Sequence, residues 1–144
     1  MPDHKLSPQA ALIYTMVLAA AADGDMTESE LRAIEEMIVF LPAFRGFEIG
    51  SIAGIASDCT DLLAKEDGLD IAFRRIKKAL ATSRLHECAY ALACDIVAAD
   101  GTVSQDELRF LELLRDEIEI DRLTAAAIER AARARFTPPG EGRG

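Results

Sequence analysis

The side chains best suited to chemistry in this chain are carboxylates that occur twice in the same setting. Asp23, Asp25 and Glu30 lie in AADGDMTESELRAI, Ala21 to Ile34, and Asp100 and Glu107 lie in AADGTVSQDELRFL, Ala98 to Leu111. The two stretches align without a gap, since Asp23 to Asp100 and Glu30 to Glu107 are the same 77 residues apart. Oxygen donors of this kind suit a hard cation such as Ca²⁺, Mg²⁺ or Mn²⁺. Each copy matches the second half of the calcium-loop signature, with Asp23, Gly24, Glu30 and Asp100, Gly101, Glu107 in its last acidic, glycine and glutamate positions. The first two ligand positions fail, being Ala19 and Ala21 in one copy and Ile96 and Ala98 in the other. A self-contained EF-hand is therefore excluded. Any cation has to be shared between the copies, with Asp23, Asp25, Glu30, Asp100 and Glu107 as its candidate ligands.

Four of the five candidates, all but Asp25, also have a purely structural reading. Thr27-x-x-Glu30 and Ser104-x-x-Glu107 are capping boxes, in which the hydroxyl accepts from the third helical amide and the glutamate reaches back to the cap amide. Met26 with Leu31, and Val103 with Leu108, stand at the positions of a hydrophobic staple. Asp23 and Asp100 precede a turn glycine at the end of a helix, where the macrodipole disfavours an anion by about 0.3–1 kcal/mol. Asp-Gly is a common turn dipeptide, and a shared cation would offset the same cost, so both explanations stand at this point.

The elements that position these residues are helices. Alanine supplies about one residue in six, and β-branched and aromatic residues are too sparse for alternating strands. Ser7-Pro8 opens a first helix that runs to Ala22 and stops at Gly24. The second is expected from Thr27 to about Leu41, ended by Pro42, and Ala43 to Gly50 reads as a loop whose Phe44 and Phe47 fold onto the core. Further helices are expected at about Ser51 to Lys65, Leu69 to Ala81, Ser83 to Ala99 and Ser104 to Glu117. A last one starts at Asp121 or Thr124 and ends near Phe136. The fold class is all-α: a single multihelical domain of about seven helices, residues 1–136, with two pseudo-symmetric helix, Asp-Gly turn, helix hairpins. Residues 137–144, TPPGEGRG, read as a disordered tail.

Other features are thinner. Between Asp70 and Glu87 there is no acid, while Arg74, Arg75, Lys77, Lys78 and Arg84 crowd together. With Phe73, Ile76 and Leu80 on one helical face, the bases form a solvated face or a dock for an acidic protein or anionic lipid. His86 and Cys88 with Cys94 lack the paired spacing of a zinc site, and His4 is distant in sequence. No nucleophile elbow, phosphate-cradling glycine loop or HExxH motif is present. A carboxylate pair can serve hydrolysis, but nothing in the sequence defines a substrate pocket, so no catalytic residue is assigned and the chain reads as non-enzymatic.

Charge and composition bound the setting. With 16 Lys and Arg against 25 Asp and Glu the net charge is -9, which argues against nucleic acid, whose binding depends on neutralising phosphates. The three cysteines, Cys59, Cys88 and Cys94, form no CxxC pair and read as reduced, mostly buried side chains. The longest apolar run, Ala10 to Ala22, is shorter than the roughly 20 residues a membrane span needs. A cytoplasmic protein is expected, with at most peripheral contact to a membrane, a protein partner, and a homodimer as a compatible assembly.

The doubled pattern from Ala22-Asp23-Gly24 through Glu30-Leu31-Arg32, and from Ala99-Asp100-Gly101 through Glu107-Leu108-Arg109, resembles the TerB family of tellurite-resistance proteins. It is also similar to the N-terminal domain of the DjlA co-chaperones. The resemblance runs from about Ala10 to Arg135 and says little about Ala43 to Asp70. It implies a multihelical fold, a role in tellurite resistance or stress response, and an acidic motif that serves as a metal or partner site. No DnaJ signature is present, so co-chaperone activity does not transfer. The rival expectation is a pure protein-interaction module in which the motif acids only cap helices.

Overall fold

Ten consecutive residues, Ala11 to Ala20, are buried in the computed structural model, which describes residues 5–24, 26–99 and 101–140. A helix that is apolar all round has to be surrounded by others. This one, α1 (Pro8–Ala21), packs against α3 (Ile52–Leu63), α4 (Gly68–Leu80) and α5 (His86–Ala99), with α2 (Glu28–Ile38) and α6 (Gln105–Glu117) also touching it. α6 and α7 (Arg122–Arg135) in turn cover α5. These seven α-helices and two short 3₁₀ turns, with no strand among the described residues, make the all-α architecture that the composition predicts. Thr15, a polar residue within the buried stretch of α1, is fully buried and donates its hydroxyl to the Ala11 carbonyl at 2.8 Å. None of the described helices is long and apolar enough to cross a membrane.

Several helix boundaries differ from the sequence expectation by a few residues, and four of them have a local physical reason. α2 stops at Ile38 rather than Leu41, because the residue before a proline is driven to extended backbone; Leu41 has φ −85° and ψ 130°. Phe40 is left 91% exposed by this early ending. α3 starts at Ile52, after a 3₁₀ turn over Ile49–Ser51. α5 starts at His86 rather than Ser83, because Arg84 is left-handed with φ 62°. Ser83 closes α4 instead, donating to the Leu80 carbonyl at 3.0 Å and accepting from the Leu85 amide at 3.3 Å. Gly68, expected as a spacer, is the buried first residue of α4, seated on the backbone of Leu62 and Leu63 at the end of α3. Asp121, the earlier of the two expected starts, caps α7 by accepting from the Thr124 amide at 3.0 Å.

The segment between α2 and α3 folds inward as expected. Phe44 is buried and meets Phe47 edge-on at 5.4 Å between ring centroids. Gln9 of α1 holds this segment by donating to the Ala43 and Arg45 carbonyls at 3.1 and 3.2 Å. α6 ends in a Schellman motif with Glu119 at the left-handed position, φ 57°. Its two bonds run from Glu119 to Asp116 and from Ile120 to Arg115, and they turn Ile118 and Ile120 into the core. Residues 137–140 continue past α7 without regular structure, and 141–144 of the expected tail lie outside the described residues.

Candidate functional site

The two copies of the repeat share the same local hydrogen bonds among the described residues. At the end of α1 the Gly24 amide donates to the Ala21 carbonyl at 3.1 Å, and at the end of α5 the Gly101 amide donates to the Ala98 carbonyl at 3.2 Å. Both glycines have positive φ, 155° and 83°, a backbone that a side chain strongly disfavours. Each turn then enters a capping box. The Thr27 amide donates to Glu30 Oε1 at 2.8 Å and the Glu30 amide to Thr27 Oγ1 at 3.2 Å. In the second copy the Ser104 amide donates to Glu107 Oε1 at 2.8 Å and the Glu107 amide to Ser104 Oγ at 3.1 Å.

This geometry treats the three described candidate ligands, Asp23, Glu30 and Glu107, unequally. Glu30 and Glu107 each have one carboxylate oxygen committed to a cap amide, and Glu107 is only 4% exposed. Asp23 is exposed, and among the described residues its carboxylate makes no hydrogen bond. Asp25 and Asp100 lie outside the described residues. Among those described, no group of three or more His, Cys, Asp and Glu side chains is placed to hold a metal ion. The described carboxylates therefore do not make a ligand set by themselves. The staple pairs also diverge. Met26 and Leu31 pack half-buried against the core, whereas Val103 and Leu108 are 50% and 45% exposed.

A set of polar residues without any sequence signal ties α7 to its neighbours. The Tyr90 hydroxyl donates to Glu129 Oε2 at 2.5 Å, Arg115 lies 3.9 Å from the same oxygen, and Arg135 pairs with Asp95. Burial first, and then the Glu129 carboxylate, push the Tyr90 phenol well above its usual range. Burial and Glu129 likewise push the Cys94 thiol up to about 12. Asp95 is raised by burial, which Arg135 only partly offsets. These partners stand 39 and 40 residues apart, so no periodicity could reveal them.

His86 lines a shallow cleft of about 260 Å³ together with Glu119 and Asp121, and a larger groove follows α4. Asp23, Glu30 and Glu107 line neither of them. No curated protein and no solved structure matches the chain. The family model described as tellurite resistance protein TerB matches residues 9–131, from the first turn of α1 into α7 and through both copies of the repeat. By that match the chain belongs to the TerB family.

Proposed function

We propose that this chain is a non-enzymatic, cytoplasmic domain of tellurite-resistance or stress-response type that works by binding at its two Asp-Gly turns. The ligand is a divalent cation of the Ca²⁺, Mg²⁺ or Mn²⁺ class, or a basic surface of a protein partner. The observation that carries this reading is Asp23. Its carboxylate stands at the unfavourable end of α1, exposed and without a hydrogen bond among the described residues. Among the described residues no amide repays the cost of placing it there, whereas an external cation or cationic group would. Glu30 and Glu107 shape the turns through their caps, and Asp23, Asp25 and Asp100 supply the charge.

Thermal melts in chelator and in millimolar Ca²⁺, Mg²⁺ or Mn²⁺ test the cation. An ion bound only by the native state at a hundred times its dissociation constant adds about 2.7 kcal/mol. The response should vanish in Asp23→Asn with Asp100→Asn. An unchanged midpoint in every ion removes the cation. A second reading, the pure interaction module, is favoured by the two complete capping boxes, which account for Glu30 and Glu107 without any ligand. It predicts that the same double variant is as stable as the parent, or slightly more stable, in every buffer.

A further inference from the structure

The basic helix presents a feature that neither the acidic turns nor the family match explains. Lys5, Arg74, Arg75 and Lys78 line one groove of about 690 Å³, formed between the outer face of α4 and the residues leading into α1. Among the described residues no carboxylate lines this groove, and none of the four cations has an acid within 4.0 Å. That is unusual in a chain with nine surplus acids. Arg74 and Lys78 are four apart on the helix, a spacing at which like charges repel. Arg75 also reaches the Tyr14 phenol, but none of the four cations is neutralised by a described acid in direct contact. Leu6 and Ile71, both half-buried, add an apolar part to its wall.

We propose that this groove binds a soluble small molecule carrying two or more clustered phosphate groups. Guanidinium forks match phosphate oxygens in pairs, and lysines add point charges. A space of this volume lies within the roughly 300–1,000 Å³ typical of small-molecule pockets and is far too small for a duplex. The cations line a concavity rather than a convex face. None of the exposed large apolar side chains, such as Phe40 or Leu123, lines it to enter a bilayer. These points favour a soluble ligand over a membrane surface.

The test is calorimetric titration of the full chain with inorganic tripolyphosphate at low salt, without divalent ions. Vesicles containing phosphatidylglycerol form a parallel arm. Tripolyphosphate should bind, and Arg74→Gln or Arg75→Gln should weaken it by about tenfold or more, the effect of losing a charge-assisted hydrogen bond. Lys77→Gln removes an equal charge from α4 outside the groove and should change affinity by less than about threefold. Lys5→Gln, in the groove lining but outside every helix, is the variant expected to weaken binding if the α4 variants lose stability. Absence of tripolyphosphate binding overturns the proposal, as does an equal loss in Lys77→Gln, which would indicate a diffuse charge effect. Binding to vesicles but not to tripolyphosphate also overturns it, by assigning the cations to a membrane surface. No acidic-turn residue takes part, so the outcome is independent of the cation melts.

Discussion

Replacing Gly68 by alanine tests the α3–α4 junction, because ordinary helix propensity and the packing predict opposite signs. In an unconstrained helix the change stabilises by about 0.5–1 kcal/mol, through the lower entropy of the unfolded chain. At Gly68 the added Cβ would stand 1.9 Å from the Leu62 carbonyl oxygen, 2.8 Å from its carbon and 3.0 Å from Leu63 Cα. All three are backbone atoms, so no side chain can swing aside. The junction has to open by more than an ångström before the contact becomes tolerable, which strips packing from Leu62 and Ala72 in the core. Overpacking of this kind costs about 1–3 kcal/mol, and a backbone collision belongs at the upper end. After subtracting the propensity gain, a net loss of about 2 kcal/mol is expected, or roughly 6 °C in Tm for a chain of this size. Urea and thermal melts followed by helical circular dichroism measure it. Gly54→Ala is the internal control. Gly54 lies within α3, exposed, and its added Cβ meets nothing within 4 Å, so that variant should gain about 0.5–1 kcal/mol. If Gly68→Ala melts at or above the parent midpoint, the close approach carries no cost and the steric argument is wrong.

Two further outcomes follow from the caps and the buried thiols. Thr27→Ala and Ser104→Ala should each cost about 0.5–2 kcal/mol in urea melts, and nearly additively, because they open caps on separate helices. Strong non-additivity would mean the two turns are coupled. Burial holds Cys59 and Cys94 at about 12 in the folded chain, against an ordinary value of 9.0 for Cys59 and for Cys94. The unfolded chain therefore releases these protons first as pH rises. Their contribution is fully present below pH 9 and falls between 9 and 12. At one unit above the unfolded value the loss is about 1.4 kcal/mol for each thiol. Cys59→Ala should lower stability at neutral pH by leaving a cavity, yet flatten the alkaline fall by the share that its own thiol contributes, about 1.4 kcal/mol at one unit above the unfolded value. An unchanged slope would contradict the assignment.

Legibility in the sequence followed the range of the interaction. The capping boxes at Thr27 and Ser104 and the turn glycines 24 and 101 were readable because each is completed within a few residues of chain. The early end of α2 was readable in principle from Pro42, whose influence falls on Leu41, but the helical pattern of the preceding apolar residues obscured it. The late start of α5 depends on the left-handed Arg84, a conformation that no residue type there signals. The ties from Tyr90 to Glu129 and from Asp95 to Arg135 had no sequence signature, because α5 and α7 meet only when the chain is folded.

The sequence by itself determined the helical class, the two turn-and-cap units and the family to which they belong, since periodicity and capping are local and survive without partners. Tertiary structure decided which side chains were spent on the fold and which remained available. It committed an oxygen of Glu30 and of Glu107 to amides and left Asp23 in solvent. It pressed Gly68 onto the carbonyl of Leu62, and it gathered Lys5 from before α1 with Arg74, Arg75 and Lys78 on α4 around one groove. These outcomes depend on how separate helices pack. Residues distant in sequence acquire a shared environment only through that packing.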